Sequence, residues 1–223
     1  MEKFGVNVDH ADQYVIIRTA EDIPKEDVAR KYEELKKIIR KVPPLDEVMD
    51  RSIRIYLAMK RIIEENKFDV TALKCFPEIG DYYATGCLAQ SLLGYDGFIS
   101  ACIGDLNTAL TAYILHLLTG SSVFSPDVQQ VRKGEGVVKL TSDGACPLDL
   151  AKNVKEVKLG RRGIFGEGEA DGICVGFLCK PGRVTLARLF RMRGKYYLHI
   201  ALGEAYEPPK ERLEEELNEC GFP

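Results

Sequence analysis

The sequence is short of histidine, with three in 223 residues, and none of them stands at a spacing from a cysteine that suggests a nucleophile pair. Its seven cysteines, at 75, 87, 102, 146, 174, 179 and 220, form no C-x-x-C pair. Their odd number leaves at least one thiol unpaired within one chain, so reduced thiols with a structural role are expected. No apolar run reaches the roughly 18 residues of a membrane-spanning helix, and the N-terminus lacks the uninterrupted apolar region of a signal peptide. A cytoplasmic protein with no membrane contact is therefore expected. An excess of positive charge is missing too. Lys and Arg number 31 against 34 Asp and Glu, for a net charge of -3, so no broad cationic field would draw the chain to nucleic acid. The one basic concentration, Arg183, Arg188, Arg191, Arg193 and Lys195, reads as the solvated face of a hairpin, with an anionic ligand or a partner subunit as the alternative. Repeats and low-complexity segments are also absent.

What is present has the balance of a folded protein, 45% hydrophobic and 29% charged. The length suits two units. From Pro24 to Lys41 a charged segment carries Val28, Leu35, Ile38 and Ile39 on one stripe and reads as an amphipathic helix, ended by Pro43 and Pro44. A second helix is expected over 45–66, then a short buried strand over 69–75 that closes into a loop at Phe76 and Pro77. A helix over 85–93, a strand over 97–102 and a helix over 106–119 follow, the last opening after Asp105 and stopping at Gly120. This alternation predicts a Rossmann-like α/β layer up to about residue 125.

Beyond Pro126 the apolar runs shorten to strand length, over 136–141, 154–159, 173–179, 184–190 and 196–202. They predict antiparallel strands, the last three as a meander turning at 180–183 and 193–194. Pro208 and Pro209 introduce a charged C-terminal helix. The expected fold class is thus α/β followed by β-rich: an α/β domain over 1–125 carrying the site, and a β-barrel-like antiparallel domain over 126–223.

Ligands of open α/β sheets gather beyond the carboxyl ends of the strands. Glu78 and Asp105 would both lie there, and two carboxylates so placed can hold a divalent cation. Each also has a plainer reading. Asp105 directly precedes an apolar-periodic helix and suits its N-cap, while Glu78 suits a solvated loop. His116 reads as a helix packing residue, and His10 as a surface residue. His199 alternates with apolar neighbours along a strand and is a candidate metal ligand or general base. The glycine-rich run 160–168 is not a P-loop and reads as a linker or lid.

Leu73 to Glu78, Gly86-Cys87, Asp96-Gly97, Gly104-Asp105 and the helix ending at Gly120 resemble, in order, the metal-site region of the L-fucose isomerase-like family. Pro181 to Leu189, Gly194 to Tyr196 and Gly203-Glu204 resemble that family's C-terminal domain. The likeness is to the C-terminal half only. It implies a sugar aldose–ketose isomerase working through an enediol, with a divalent metal, manganese first, held by acidic residues and a histidine. On this likeness the catalytic residues are Glu78 and Asp105, the metal ligands Glu78, Asp105 and His199, and the substrate contacts Lys74, Asp143, Arg183 and Thr185. Two departures stand out. Ile103 occupies the place of a family glutamate before Gly104-Asp105, and the segment from Thr141 to Pro147 lacks the family's His-Cys. Relatives also carry further α/β units ahead of this region. The wall those units supply is expected from a homo-oligomer or a separate N-terminal subunit. The alternative function is a sugar-binding or assembly protein without catalysis.

Overall fold

The computed structural model describes residues 2–75, 77–142, 144–162, 172–209 and 211–213, of which Glu2 and Arg162 are described by their backbone alone. Helix α1 (Gln13–Glu21) opens on Asp12, whose carboxylate accepts the Tyr14 N–H at 2.8 Å. Ile16, Ile17 and Ala20 fall on its inner face, a short period that the sequence reading missed. Helix α2 (Lys25–Ile38) follows Pro24 and buries Val28 and Leu35. The long α3 (Glu47–Asn66) is capped by Asp46 and ends where Lys67 turns into the left-handed region, at φ 55°. Its buried stripe includes Ile53, Tyr56, Met59 and Ile63. Arg54, also buried, donates to the Ile23 carbonyl at 2.6 Å and pairs with Asp50, fastening the end of α1 to α3.

Strand β1 (Val70–Ala72) pairs in parallel with β2 (Ile99–Ala101), Val70 opposite Ile99 and Ala72 opposite Ala101. Between them run the five-residue α4 (Glu78–Tyr82), where a loop was expected, and α5 (Cys87–Tyr95). Helix α6 (Leu106–Thr119) leaves β2 after one short turn, with the bounds read from the sequence, and stops at Gly120 in the left-handed conformation. His116, expected in the packing, instead lies near the helix end with Nδ1 2.9 Å from the Ser121 carbonyl oxygen.

The strands of the second half are β3 (Asp127–Arg132), β4 (Val137–Thr141), β5 (Lys158–Arg162), β6 (Gly172–Gly176), β7 (Gly182–Met192) and β8 (Lys195–Ala205). They pair antiparallel in twos: β3 with β4, β5 with β6, β7 with β8. The expected meander of the last three strands is corrected by this pairing, because β6 belongs with β5. The diversion has a local cause. Lys152 N–H donates to the Leu178 carbonyl and Lys180 N–H to the Leu150 carbonyl, both at 2.9 Å, so the link from β6 to β7 is claimed by the segment before β5. Residues 154–156, expected as the start of a strand, form a single 3-10 turn.

One hydrophobic cluster runs from Ile23 through Ile53, Leu88 and Leu92 to Leu148, Ile173 and Val175, crossing residue 125. All five residues of β6 are buried, and the Ile173 N–H donates to Ser52 Oγ of α3 at 3.1 Å. The chain before β5 is held as closely. Ser91 Oγ donates to the Cys146 carbonyl at 2.5 Å, and Gly94 has no room for a side chain because a Cβ there would meet Pro147 Cγ at 2.5 Å.

Candidate functional site at the carboxyl edge of the parallel pair

Both parallel strands end at the same edge, and the loops that leave them touch. The Leu73 N–H donates to the Ala101 carbonyl at 2.9 Å, and the Gly104 N–H returns to the Leu73 carbonyl at 3.0 Å. Gly104 sits at φ 67°, and a Cβ on it would come within 3.2 Å of Lys74 Cβ, so glycine here satisfies both a left-handed backbone and a close approach. Ile103 before it is also left-handed, at φ 55°, and its side chain is 70% exposed. A β-branched residue in that region carries backbone strain, of order 1–3 kcal/mol. The strained turn brings Gly104 against Lys74 and sets Asp105 at the start of α6.

Asp105 is the N-cap of α6. Its Oδ1 accepts the N–H groups of Asn107 at 2.8 Å and Thr108 at 3.0 Å. Its Oδ2 takes the guanidinium of Arg188, from β7, at 2.7 Å, and Arg188 also donates to Thr108 Oγ1. Burial pushes the Asp105 carboxyl up, but Arg188 and the Thr108 groups outweigh it and leave the carboxyl below its ordinary range. In the sequence Arg188 reads only as part of a basic hairpin face. The signal that could have singled it out is Thr108 and Thr111, three residues apart on one face of the first turns of α6. Thr108 receives Arg188, and the buried Thr111 Oγ1 accepts the Leu189 N–H at 2.9 Å.

Lys74 lies just past β1 and donates to both carboxylate oxygens of Glu78, at 2.8 and 3.0 Å. That lysine holds the Glu78 carboxyl below its usual value, so it is ionised at neutral pH. The pair is about half exposed, and its partners are free to exchange with a ligand. The cysteines do not join this chemistry. Cys75 and Cys102 meet just past the two strands, where their mutual hydrogen bond and burial push the Cys75 thiol well up, away from a reactive thiolate.

The other expected site residues fall along the β7–β8 hairpin. His199 stands opposite Arg188 in the ladder, Arg183 opposite Glu204, and Thr185 opposite Leu202. Arg183, Thr185 and His199 are exposed. Asp143, and residues 163–168 of the glycine-rich run, lie outside the described residues. The structure thus brings Lys74 to Glu78 and Arg188 to Asp105, with His199 across the ladder from Arg188. Among the described residues no three His, Cys, Asp or Glu side chains gather as ligands for one ion. Each expected acidic ligand is engaged by a cation of the chain itself. As they stand, Asp105 and Glu78 do not fit a divalent cation, which would have to displace Arg188 and Lys74 or draw donors from elsewhere.

The arrangement resembles an anion-tolerant polar edge: two carboxylates able to accept protons or hydroxyl hydrogen bonds, flanked by two cations. No family model matches the chain. It is 27% identical over 209 residues to a protein of Alkalicoccus urumqiensis named sulfoquinovose isomerase, an alignment covering 93% of this chain and 46% of that protein. A protein of the same name from Priestia aryabhattai is 22% identical over 205 residues, 91% of this chain and 45% of its own. Another from Clostridium sp. (strain MSTE9) is 26% identical over 165 residues, 73% and 36% of the two chains. The chain spans about half the length of the curated relatives it matches. These names support likeness to sugar isomerases, not the narrower fucose assignment. No helix among the described residues is long and apolar enough to cross a membrane.

Proposed function

We propose that this chain is a sugar isomerase-like protein of the cytoplasm, with its site at the carboxyl edge of β1 and β2, and that it converts an aldose to its ketose. The observation that carries the reading is the placement of the Lys74–Glu78 pair and of Asp105 just past the two parallel strands, in segments joined by the Gly104–Leu73 hydrogen bond. Similarity to proteins named sulfoquinovose isomerase over nine-tenths of the chain supports it. Aldose–ketose exchange needs one group to carry the proton from the carbon beside the carbonyl to the carbonyl carbon, while a proton passes from the adjacent hydroxyl oxygen to the carbonyl oxygen. Glu78 is an ionised, accessible carboxylate suited to that transfer. Asp105 is held rigidly by the α6 cap and Arg188 and suits sugar hydroxyls. Lys74 and Arg188 suit an anionic sugar, such as the sulfonated one in the relatives' name, and Arg183 and Thr185 would extend the contact surface along β7. A homo-oligomer or a separate subunit would complete the wall of the site.

Incubating the protein with sulfoquinovose and neutral aldoses in heavy water, with and without Mn2+, tests the reading. Deuterium entry beside the carbonyl is expected, strongly reduced by Glu78→Gln. Absence of both exchange and sugar binding across the panel would overturn it. A second reading, sugar binding without catalysis, is favoured by the engagement of both carboxylates with the chain's own cations. It predicts binding that Asp105→Ala weakens, with no deuterium exchange.

A further inference from the structure

Among the described residues the β7–β8 hairpin is covered along one edge only. On the β7 side the Leu189 N–H leaves the hairpin and donates to Thr111 Oγ1 of α6. Since Leu189 is opposite Leu198, that pair does not exchange backbone hydrogen bonds with itself, and the N–H and C=O of Leu198 point to the far edge of β8. By alternation the same holds for Tyr196, Ile200, Leu202 and Glu204. Among the described residues no strand pairs with this edge. The side chains beside it are apolar and open, Leu198 45%, Ile200 57% and Leu202 75% exposed. An edge on a strand of eleven residues, unpaired among the described residues and apolar at its middle, invites another strand.

We propose that the partner is a second copy of this chain, β8 against β8, antiparallel about a two-fold axis at Ile200. A two-fold contact requires a self-complementary surface, and this strand is one. With Ile200 opposite its own copy, Leu198 of one protomer faces Leu202 of the other, and Tyr196 faces Glu204. All five edge residues then offer their backbone groups to matching positions, with side chains kept on their own face. Charge agrees with this register. The Arg191 guanidinium lies over the Tyr196 ring, 5.7 Å from its centroid, at the end of the strand that meets the partner's Glu204. The two-fold axis repeats that pairing at both ends, while the middle is apolar. This assembly does not depend on the isomerase reading.

Light scattering during size-exclusion chromatography of the chain, over a range of concentrations, tests the proposal. The wild-type chain is expected to be dimeric and Ile200→Lys monomeric with an unchanged far-ultraviolet circular dichroism spectrum. Leu202→Glu, at a more exposed position, is the second variant should the first fail to fold. Glu204→Arg is expected to weaken dimerisation about tenfold, and adding Arg191→Glu to it should restore most of the loss. A wild-type chain monomeric throughout, or a dimer that survives both Ile200→Lys and Leu202→Glu, overturns the proposal. Failure of the Arg191/Glu204 exchange to restore association overturns its register.

Discussion

Helix α5 buries eight of its nine residues, whereas β8 leaves nine of its eleven exposed. The first is apolar nearly all round because it lies between α3 and β6 inside the main cluster. The second has the composition of a buried strand, Tyr-Tyr-Leu-His-Ile-Ala-Leu, without a strand partner on its outer edge among the described residues. Stability therefore sits in the layer around α3, α5 and β6, and the hairpin is joined to it through α6, by Thr111, Thr108 and Asp105. The candidate site lies on that join. A site at such a junction can be altered by changing how the hairpin is held while the core remains intact.

The comparison is sharpest where core and hairpin are perturbed separately. Leu88→Ala, in the fully buried first turn of α5, is expected to lower unfolding stability by about 2–5 kcal/mol, measured by urea denaturation. A loss under 1 kcal/mol would break the picture of α5 as the centre of the core. Thr111→Val removes the acceptor of a buried backbone N–H and should cost about 1–3 kcal/mol. Its distinguishing sign is faster amide hydrogen exchange in β7, with α3 unchanged.

Asp105→Ala removes a helix cap and the partner of Arg188, for about 0.5–2 kcal/mol. It also carries a pH signature. The Asp105 carboxyl is depressed in the folded chain, so its stabilisation is present above the ordinary carboxylate value, about 4, and is lost as pH falls through the lower folded value. The variant should accordingly lose less stability than wild type on acidification below about pH 4. Acid denaturation curves that fall in parallel would contradict this. The smallest effect belongs to Lys74→Met. Its ion pair with Glu78 is about half exposed and should contribute at most about 0.5 kcal/mol, while sugar binding drops if the lysine meets the ligand.

Much of the helical layer was legible in the sequence, because an apolar period and a capping residue are local signals. The bounds of α6 and the capping role of Asp105 were there to read, and α3 began two residues later than expected. The five-residue α4 was not, since one turn and a half carries no period. Of the strands of the second half, β3 was not recognised and β5 only at its start, and of the pairings only the β7–β8 hairpin was legible. Pairing depends on contacts far along the chain, such as the Lys152–Leu178 hydrogen bond that keeps β6 from β7. The candidate site divides in the same way. Lys74 and Glu78 are four residues apart and readable together, whereas Arg188 reaches Asp105 across 83 residues.

Amide chemical-shift mapping with sulfoquinovose tests the central claim most directly, that the carboxyl edge of β1 and β2 is a sugar site joined to the hairpin through Asp105 and Arg188. The expected result is a set of saturable shifts at residues 73–75, 78, 103–108 and 187–189, absent from the middle of α3. Shifts confined to other parts of the chain, or none at saturating sugar, would contradict it.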